Sequence, residues 1–326
     1  MEHRHEPVMA RQVLEVLNPS RSSVVLDGTL GAAGHARLLA ERLGPEGFLL
    51  GLDRDPAMAE RGRARLAEAC AARTDAPRFA VEALSYERAG DALAKHGFEG
   101  ADAIALDLGL NSIQLADASR GFSFQHDGPL DMRFNPAEPG TPSVAELVAD
   151  ATESELATWM REFADERFAG RIASAIVRER AKAPIATTAR LAEVVRAAVP
   201  AAARRGPVDA ATRPMQALRI AANREYEVLE AGLRACLAAL RPGGVLAVIS
   251  FHSGEDRRVK EAFDAVGSPR PDPGNPYSAT TRSGLEYEVK SRGAMKPSDE
   301  EVARNPRARS ARLRAVRRLR PGEVPA

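Results

Sequence analysis

Ser23-Val24-Val25-Leu26-Asp27-Gly28-Thr29-Leu30-Gly31-Ala32-Ala33-Gly34-His35 runs from a short apolar stretch, through a carboxylate, into a glycine-rich turn. A helical pattern follows (Ala36, Leu38, Leu39, Leu43) and stops at Gly44-Pro45. The next apolar run, Gly47 to Asp53, again ends in a carboxylate. Two strands, each ending in an acid, with a glycine turn leading into the helix between them, form a place where small residues let a ligand approach the backbone closely. The glycines fall at 28, 31 and 34, which is not the G-x-G-x-x-G dinucleotide spacing, and no G-x-x-x-x-G-K-[ST] occurs. Asp53 sits where a carboxylate accepts both ribose hydroxyls of an adenosine-containing cofactor. Tight turn and helix cap is the competing reading of the same residues; glycine turn and strand-end acid together favour a nucleoside cofactor.

Outward from this stretch, residues 56–73 read as helix, Arg78 to Val81 as a third strand and Ala101 to Leu108 as a fourth. Unbroken apolar strands separated by helices indicate a parallel sheet covered on both faces, hence a doubly wound α/β domain. Residues 143–199 then show helical periodicity and no strand, with Thr152 and Glu155 spaced as a capping box and Thr188 as an N-cap ahead of Leu191, Val194, Val195 and Ala198. The stretches Asn135 to Pro142 and Pro200 to Pro207 flank this block as linkers would. One long helix carrying Met215, Leu218, Ala222, Tyr226, Leu229 and Leu233 is predicted next, ending at Arg241 to Gly244, before a fifth strand over Val245 to Phe251. A proline-bearing loop spans Gly267 to Gly284. Leu285 to Lys290 and Arg312 to Arg318 alternate as edge strands do.

The 326 residues carry 46 basic and 45 acidic side chains, a net charge of +1 that taken alone argues against a polyanionic partner. Its distribution argues otherwise. Arg304, Arg307, Arg309, Arg312, Arg314, Arg317, Arg318 and Arg320 crowd into one segment without an acid among them, a run that would attract a phosphate backbone or, more plainly, keep a tail soluble. No apolar run approaches the roughly 18 residues of a membrane span. The charged start of the chain lacks a secretory pattern, and Cys70 and Cys236 are isolated, so a cytoplasmic location is expected.

Asp107 to Gln114 follows the fourth strand and should line the same crevice as the glycine turn. Arg120 to Phe134 mixes aromatics and arginines as a loop that stacks a flipped-out base would, or as a packed Ω-loop does. Ser250, His252 and Asp256 invite a hydrolase reading, but no G-x-S-x-G elbow surrounds the serine. His35, His126 and His252 lack metal-ligand spacing. Two other functions fit parts of the pattern: a nicotinamide-dependent oxidoreductase, against which the glycine spacing speaks, and a non-catalytic RNA-binding assembly factor.

In order along the chain, His5 to Met9, Asp27 to His35, Gly51 to Asp55, Asp107 to Gln114, Arg120 to Arg133, Glu166 to Ala169, Ala211 to Arg219, Ser250 to Ser253 and Asn305 to Ser310 resemble the motifs of the bacterial 16S ribosomal RNA (cytosine-N4) methyltransferase family, the MraW or RsmH type, essentially end to end. The resemblance implies an α/β, class I (Rossmann-like) S-adenosylmethionine-dependent methyltransferase domain with an inserted all-helical domain. Residues 1–114 and 213–326 would form the first and residues 115–212 an RNA-recognition insert. It implies methyl transfer to the exocyclic N4 amine of a cytosine in 16S ribosomal RNA, with the small ribosomal subunit as partner, no membrane and no metal; a homodimer is compatible with it. Carried over by position, it implies cofactor contacts from Ala33, Gly34, His35, Asp53, Leu84, Asp107 and Gln114. For such a transfer, the chemistry of the amine makes Asp107 or the Asn111 carbonyl the candidate catalytic acceptor of its hydrogen bonds, and Phe122 or Phe124 the candidate to stack the base. The chain departs from the family pattern at Ala33 (glycine), Leu84 (phenylalanine), Asn111 (serine) and Ile113 (proline). Alanine at 33 fits only if that position does not need positive φ.

Overall fold

The computed structural model describes residues 7–205, 208–267, 285–290 and 293–325. The chain divides into two compact units, Met1–Gly109 with Val228–Ala326, and Leu110–Glu227. These limits lie five residues before and fifteen after the sequence boundaries at 114 and 212.

The first unit is built on a seven-stranded sheet of order β3-β2-β1-β4-β5-β7-β6. Its strands are β1 (Val24–Asp27), β2 (Phe48–Leu52), β3 (Arg78–Glu82), β4 (Ala101–Asp107), β5 (Leu240–Ser250), β6 (Tyr287–Val289) and β7 (Arg312–Arg318). β1 to β5 run parallel, and β7 is antiparallel to both β5 and β6. The two-residue period of a strand sends Val25, Leu49, Ala103, Ala247, Ile249 and Leu313 into one core, and Val24, Leu26, Leu50, Ile104, Leu106, Val248 and Val316 into the other. Helices cover both faces: Leu39, Leu43 and Leu66 pack on the first, and Leu93, Leu233 and Phe263 on the second. Such two-sided burial explains why the strands read as continuous apolar runs.

The second unit contains no strand among its described residues. Helices Val144–Asp150, Glu153–Ala164, Ala169–Arg180, Thr188–Ala198 and Thr212–Asn223 enclose a core that includes Val148, Leu156, Met160, Ile172, Ile176, Leu191, Val195 and Leu218. Thr152 and Glu155 form the expected capping box, and Ser143 with Glu146 forms a second.

Several sequence readings need correction. The N-cap of Thr188–Ala198 is Thr187, whose hydroxyl accepts the Arg190 N–H; Thr188 is the first helical residue and is buried. The long helix after residue 212 is two helices, Thr212–Asn223 and Glu225–Ala238, because Arg224 turns left-handed at φ 51°. The buried Asn223 side chain holds that break, accepting from Phe134 N and donating to the Met132 and Arg219 carbonyls. Arg241 to Gly244 belong to β5 as a bulge: the register with β4 jumps from Ala101↔Leu240 to Ala103↔Val245. β7 is not an edge strand but an interior one, because β6 pairs with its outer side. The proline-bearing loop lies outside the described residues apart from Gly267.

The arginine segment is correspondingly not a free tail. Arg312 and Arg314 bond to the buried Asp256, Arg317 to Glu288 and Glu323, and Arg318 donates to the Leu240 carbonyl. A strand inside a sheet buries half its side chains, so these arginines need partners from neighbouring elements. Arg304, Arg307 and Arg309, ahead of the strand, are exposed.

Candidate active site

The glycine turn crosses the carboxyl ends of β1, β2 and β4, where open α/β sheets hold ligands. Gly28 N–H donates to the Ala105 carbonyl, Leu30 N–H to the Leu52 carbonyl, and the Thr29 hydroxyl accepts the Asp107 N–H at 2.6 Å. A Cβ on Gly28 would lie 2.5 Å from Leu106 Cδ2 and 2.9 Å from Tyr86 Cβ, so no larger residue fits beneath the turn. Gly31 has φ 49°. Asp53, at the end of β2, closes the turn from the far side: its Oδ2 accepts the Gly31 N–H at 2.7 Å and its Oδ1 accepts the Asp55 N–H. Asp55 then caps helix Pro56–Ala71 through Ala57 N–H.

Ala33 is left-handed, at φ 60°, ψ 32°, and fully buried. The condition attached to this departure from glycine is therefore not met. The chain carries backbone strain of about 1–2 kcal/mol at that point. Ala33→Gly should relieve it against about 0.4–1 kcal/mol of added unfolded-chain entropy. A net gain of about 0 to 1.6 kcal/mol is expected in urea unfolding; a loss of stability would mean that the Cβ contributes packing that outweighs the strain.

Asp27, His35 and Asp107 form a polar group in which the first two are buried and the third, at the end of β4, keeps its side chain 30% exposed. Asp27 is 2% exposed and accepts the Thr29 N–H; burial, aided by the nearby charges of Asp107 and Asp53 and opposed by His35, raises its pKa to about 6. Asp107 rises to about 7, through burial first and then the negative charge of Glu255. Its Oδ1 is sealed from solvent and has no hydrogen-bond partner among the described residues. His35 is 6% exposed: Nε2 lies 2.9 Å from the Val8 carbonyl and Nδ1 lies 3.6 Å from Asp107 Oδ2. Burial lowers its pKa, which the charge of Asp27 opposes.

Sequence reasoning missed Glu255, and weighed Asp256 only in a hydrolase reading. Glu255, nearly buried, accepts Phe251 N–H at 2.8 Å and lies 3.0 Å from His252 Nε2. Its signal was available: an acid in the first turn of the helix after β5, four residues beyond the strand-end Phe251. The Ser250 hydroxyl points instead to the Arg312 carbonyl, at 3.4 Å, which removes the serine from any pairing with His252.

The remaining predicted residues belong to other elements. Leu84 follows β3 and packs partly buried against the second sheet core. Asn111 and Gln114 open the helical unit and cap one another: Asn111 Oδ1 accepts the Ile113 and Gln114 N–H groups, and Gln114 Oε1 accepts the Asn111 N–H. Phe122 is buried in the helical core beside Phe134, which withdraws it from stacking a base. Phe124 is partly buried there, with the Arg196 guanidinium over its ring.

Comparison with known proteins decides what this geometry belongs to. The family model described as MraW methylase family matches residues 2–319. The chain belongs to the MraW methylase family. Among its relatives, the Ribosomal RNA small subunit methyltransferase H of Geobacter sulfurreducens is 44% identical, covering 98% of this chain and all of its own length. The protein of the same name from Syntrophotalea carbinolica is 44% identical over 97% of this chain and 98% of its own. The chain accordingly has the Rossmann-like class I methyltransferase fold, built on this seven-stranded sheet.

Proposed function

We propose that the carboxyl ends of β1, β2 and β4 hold S-adenosylmethionine and that Asp107 accepts the hydrogen bonds of the amine being methylated. Membership of the MraW methylase family makes the chain an S-adenosylmethionine-dependent methyltransferase whose target is the N4 amine of a cytosine in 16S ribosomal RNA. The observation that carries the site assignment is Asp107: a carboxylate at the end of β4 whose side chain is 30% exposed, with one oxygen sealed and without a protein partner, clipped by its own N–H to the glycine turn. Sealing one oxygen turns the other, Oδ2, toward the crevice, where an amine can reach it.

The residues present fit the cofactor. Asp53 presents a strand-end carboxylate for ribose hydroxyls, and Gly28, Gly31 and Gly34 keep the turn free of side chains. When bound, S-adenosylmethionine supplies an electrophilic methyl on a positively charged sulfur that is already a good leaving group. Chain residues then have two tasks. The N4 lone pair is delocalised into the cytosine ring, so the amine must be held in line at about 3–3.5 Å and its protons engaged. Asp107 does the second. The Asn111 carbonyl is already occupied by two backbone N–H groups, which leaves Asp107 as the acceptor of choice. The helical unit and the exposed Arg304, Arg307 and Arg309 supply the contacts to RNA, and the reaction proceeds in the cytoplasm, where ribosomal subunits are assembled. Among the described residues no helix is long and apolar enough to cross a membrane.

Transfer of a radiolabelled methyl group to small subunits lacking the modification, followed by nucleoside analysis, tests the activity; label on any nucleoside other than N4-methylated cytidine overturns the target. Asp53→Ala should weaken S-adenosylmethionine binding about ten- to a hundredfold by calorimetry. Because Asp53 also anchors the Gly31 N–H, Asp53→Asn should do less harm than alanine. Unchanged affinity in both would remove Asp53 from the site.

A further inference from the structure

His35 lies beside Asp107 and within electrostatic reach of Asp27, and its hydrogen bond to Val8 defines its protonation pattern. A carbonyl oxygen only accepts, so the 2.9 Å contact with Val8 requires the proton on Nε2. In the neutral ring Nδ1 is then a bare lone pair, and it faces Asp107 Oδ2 at 3.6 Å. A proton on Asp107 Oδ2 would turn these two acceptors into a donor and an acceptor that a closure of a few tenths of an ångström brings within hydrogen-bond distance. The methylation releases one: as the N4–CH3 bond forms and the sulfur–CH3 bond breaks, N4 sheds a proton to become a neutral secondary amine.

We propose that His35 is a positioning residue for proton removal: Asp107 takes the proton from N4 on Oδ2, the oxygen that is not sealed, and His35 Nδ1, oriented by the Val8 carbonyl, accepts a hydrogen bond from that newly formed Oδ2–H. This rests on the reading of Asp107 given above and deepens it. The proton balance closes within the pair, and its later loss to solvent restores the carboxylate. The charged groups around the pair come from every side. Asp27 on β1 and Glu301 on helix Asp299–Arg304 act on the imidazole, and Glu255 on the helix after β5 acts on Asp107. All are acids, which favours holding one extra proton in this cluster. Asp107 itself sits near pH 7, where proton uptake and release are both accessible.

His35 also has a plain structural job, since its bond to Val8 straps the segment Pro7-Val8-Met9 beside the glycine turn; a Cβ on Gly34 would lie 3.1 Å from Pro7. Two variants separate the roles. The amide nitrogen of a glutamine reaches roughly where Nε2 does, so His35→Gln keeps the strap and removes the acceptor facing Asp107. The amide of an asparagine lies roughly where Nδ1 does, so His35→Asn keeps a polar group toward Asp107 and loses the strap. With S-adenosylmethionine saturating, His35→Gln should lower the single-turnover rate at least tenfold with little change in KM, and move the acidic limb of its pH profile to lower pH. His35→Asn should retain more of the rate and lose cofactor affinity. Independently of turnover, carboxyl-carbon NMR of the unliganded protein should show Asp107 titrating at lower pH in His35→Gln, because the protonated form has lost its acceptor. Should His35→Gln keep the wild-type rate, pH profile and Asp107 titration, His35 is only a strap. A wild-type protein that binds no S-adenosylmethionine would instead overturn the underlying site assignment.

Discussion

Asp107→Asn is expected to lower methyl transfer by about 10²- to 10⁴-fold and, at the same time, to make the protein more stable at pH 8. The first effect follows from replacing the only carboxylate assigned to the N4 amine by an amide that takes no proton. The second follows from burial. The folded-state pKa of Asp107 is raised from 3.8 to about 7. Between those values the folded protein keeps a proton that the unfolded chain has released. The stabilisation is therefore complete below about pH 4 and is lost as pH rises through about 7; the side chain is 30% exposed, so solvent screening keeps the effect below about 4 kcal/mol. Asparagine has no charge to bury and escapes that loss. Urea unfolding at pH 5.5 and pH 8 should show wild type weakening toward pH 8 and the variant weakening less. Asp27, raised to about 6, moves stability in the same direction and remains in the variant, so some pH dependence persists. A variant with wild-type turnover, or with an undiminished pH slope, would remove Asp107 from the role assigned to it. The two results together describe a site held at a cost in stability for the sake of its chemistry.

The sheet unit was legible from sequence because its signal is local and repeated: apolar strands ending in Asp27, Asp53 and Asp107, each followed by turn and helix. So was the helical unit, since its stripes and its Thr152–Glu155 box are patterns within one element. What escaped depends on contacts between distant segments. The break at Arg224 is held by Asn223 reaching Met132 and Phe134, about ninety positions away, and no local rule marks it. The left-handed φ of Ala33 was open to suspicion from its place in the motif, but only the fold shows the angle. Asn111 looked like a free polar group at a crevice, whereas its side chain is used within its own helix turn. The greatest misreading concerned charge. A run of arginines has no partners in one dimension; across a sheet it faces Asp256 and Glu288 from other elements.

That misreading leads to opposite expectations for two arginines only five positions apart. Arg314 lies in β7, 13% exposed, with Nε and Nη2 on the two oxygens of the buried Asp256. Removing one partner of a buried pair leaves the other charge uncompensated, at about 3–5 kcal/mol. Arg312 still reaches Asp256 Oδ2, so Arg314→Ala is expected near the lower figure, about 3 kcal/mol, a large share of a domain's stability. Arg309 precedes the strand, is exposed, and has no acidic partner among the described residues. Arg309→Ala should leave unfolding within about 0.5 kcal/mol of wild type. It should reduce the slope of log binding constant against log salt for ribosomal RNA by about 0.7–0.9. Denaturant melts and salt-dependent RNA binding of both variants separate the roles. If Arg314→Ala keeps its stability and loses RNA affinity with a flattened salt slope, the strand arginines are an RNA surface after all and their ion pairs with Asp256 are incidental. If Arg309→Ala leaves the slope untouched, the segment before β7 has only a solubilising charge. The expected outcome assigns Asp256, buried beneath two guanidinium groups, to holding the fold, and leaves phosphate recognition to arginines that the sheet does not use.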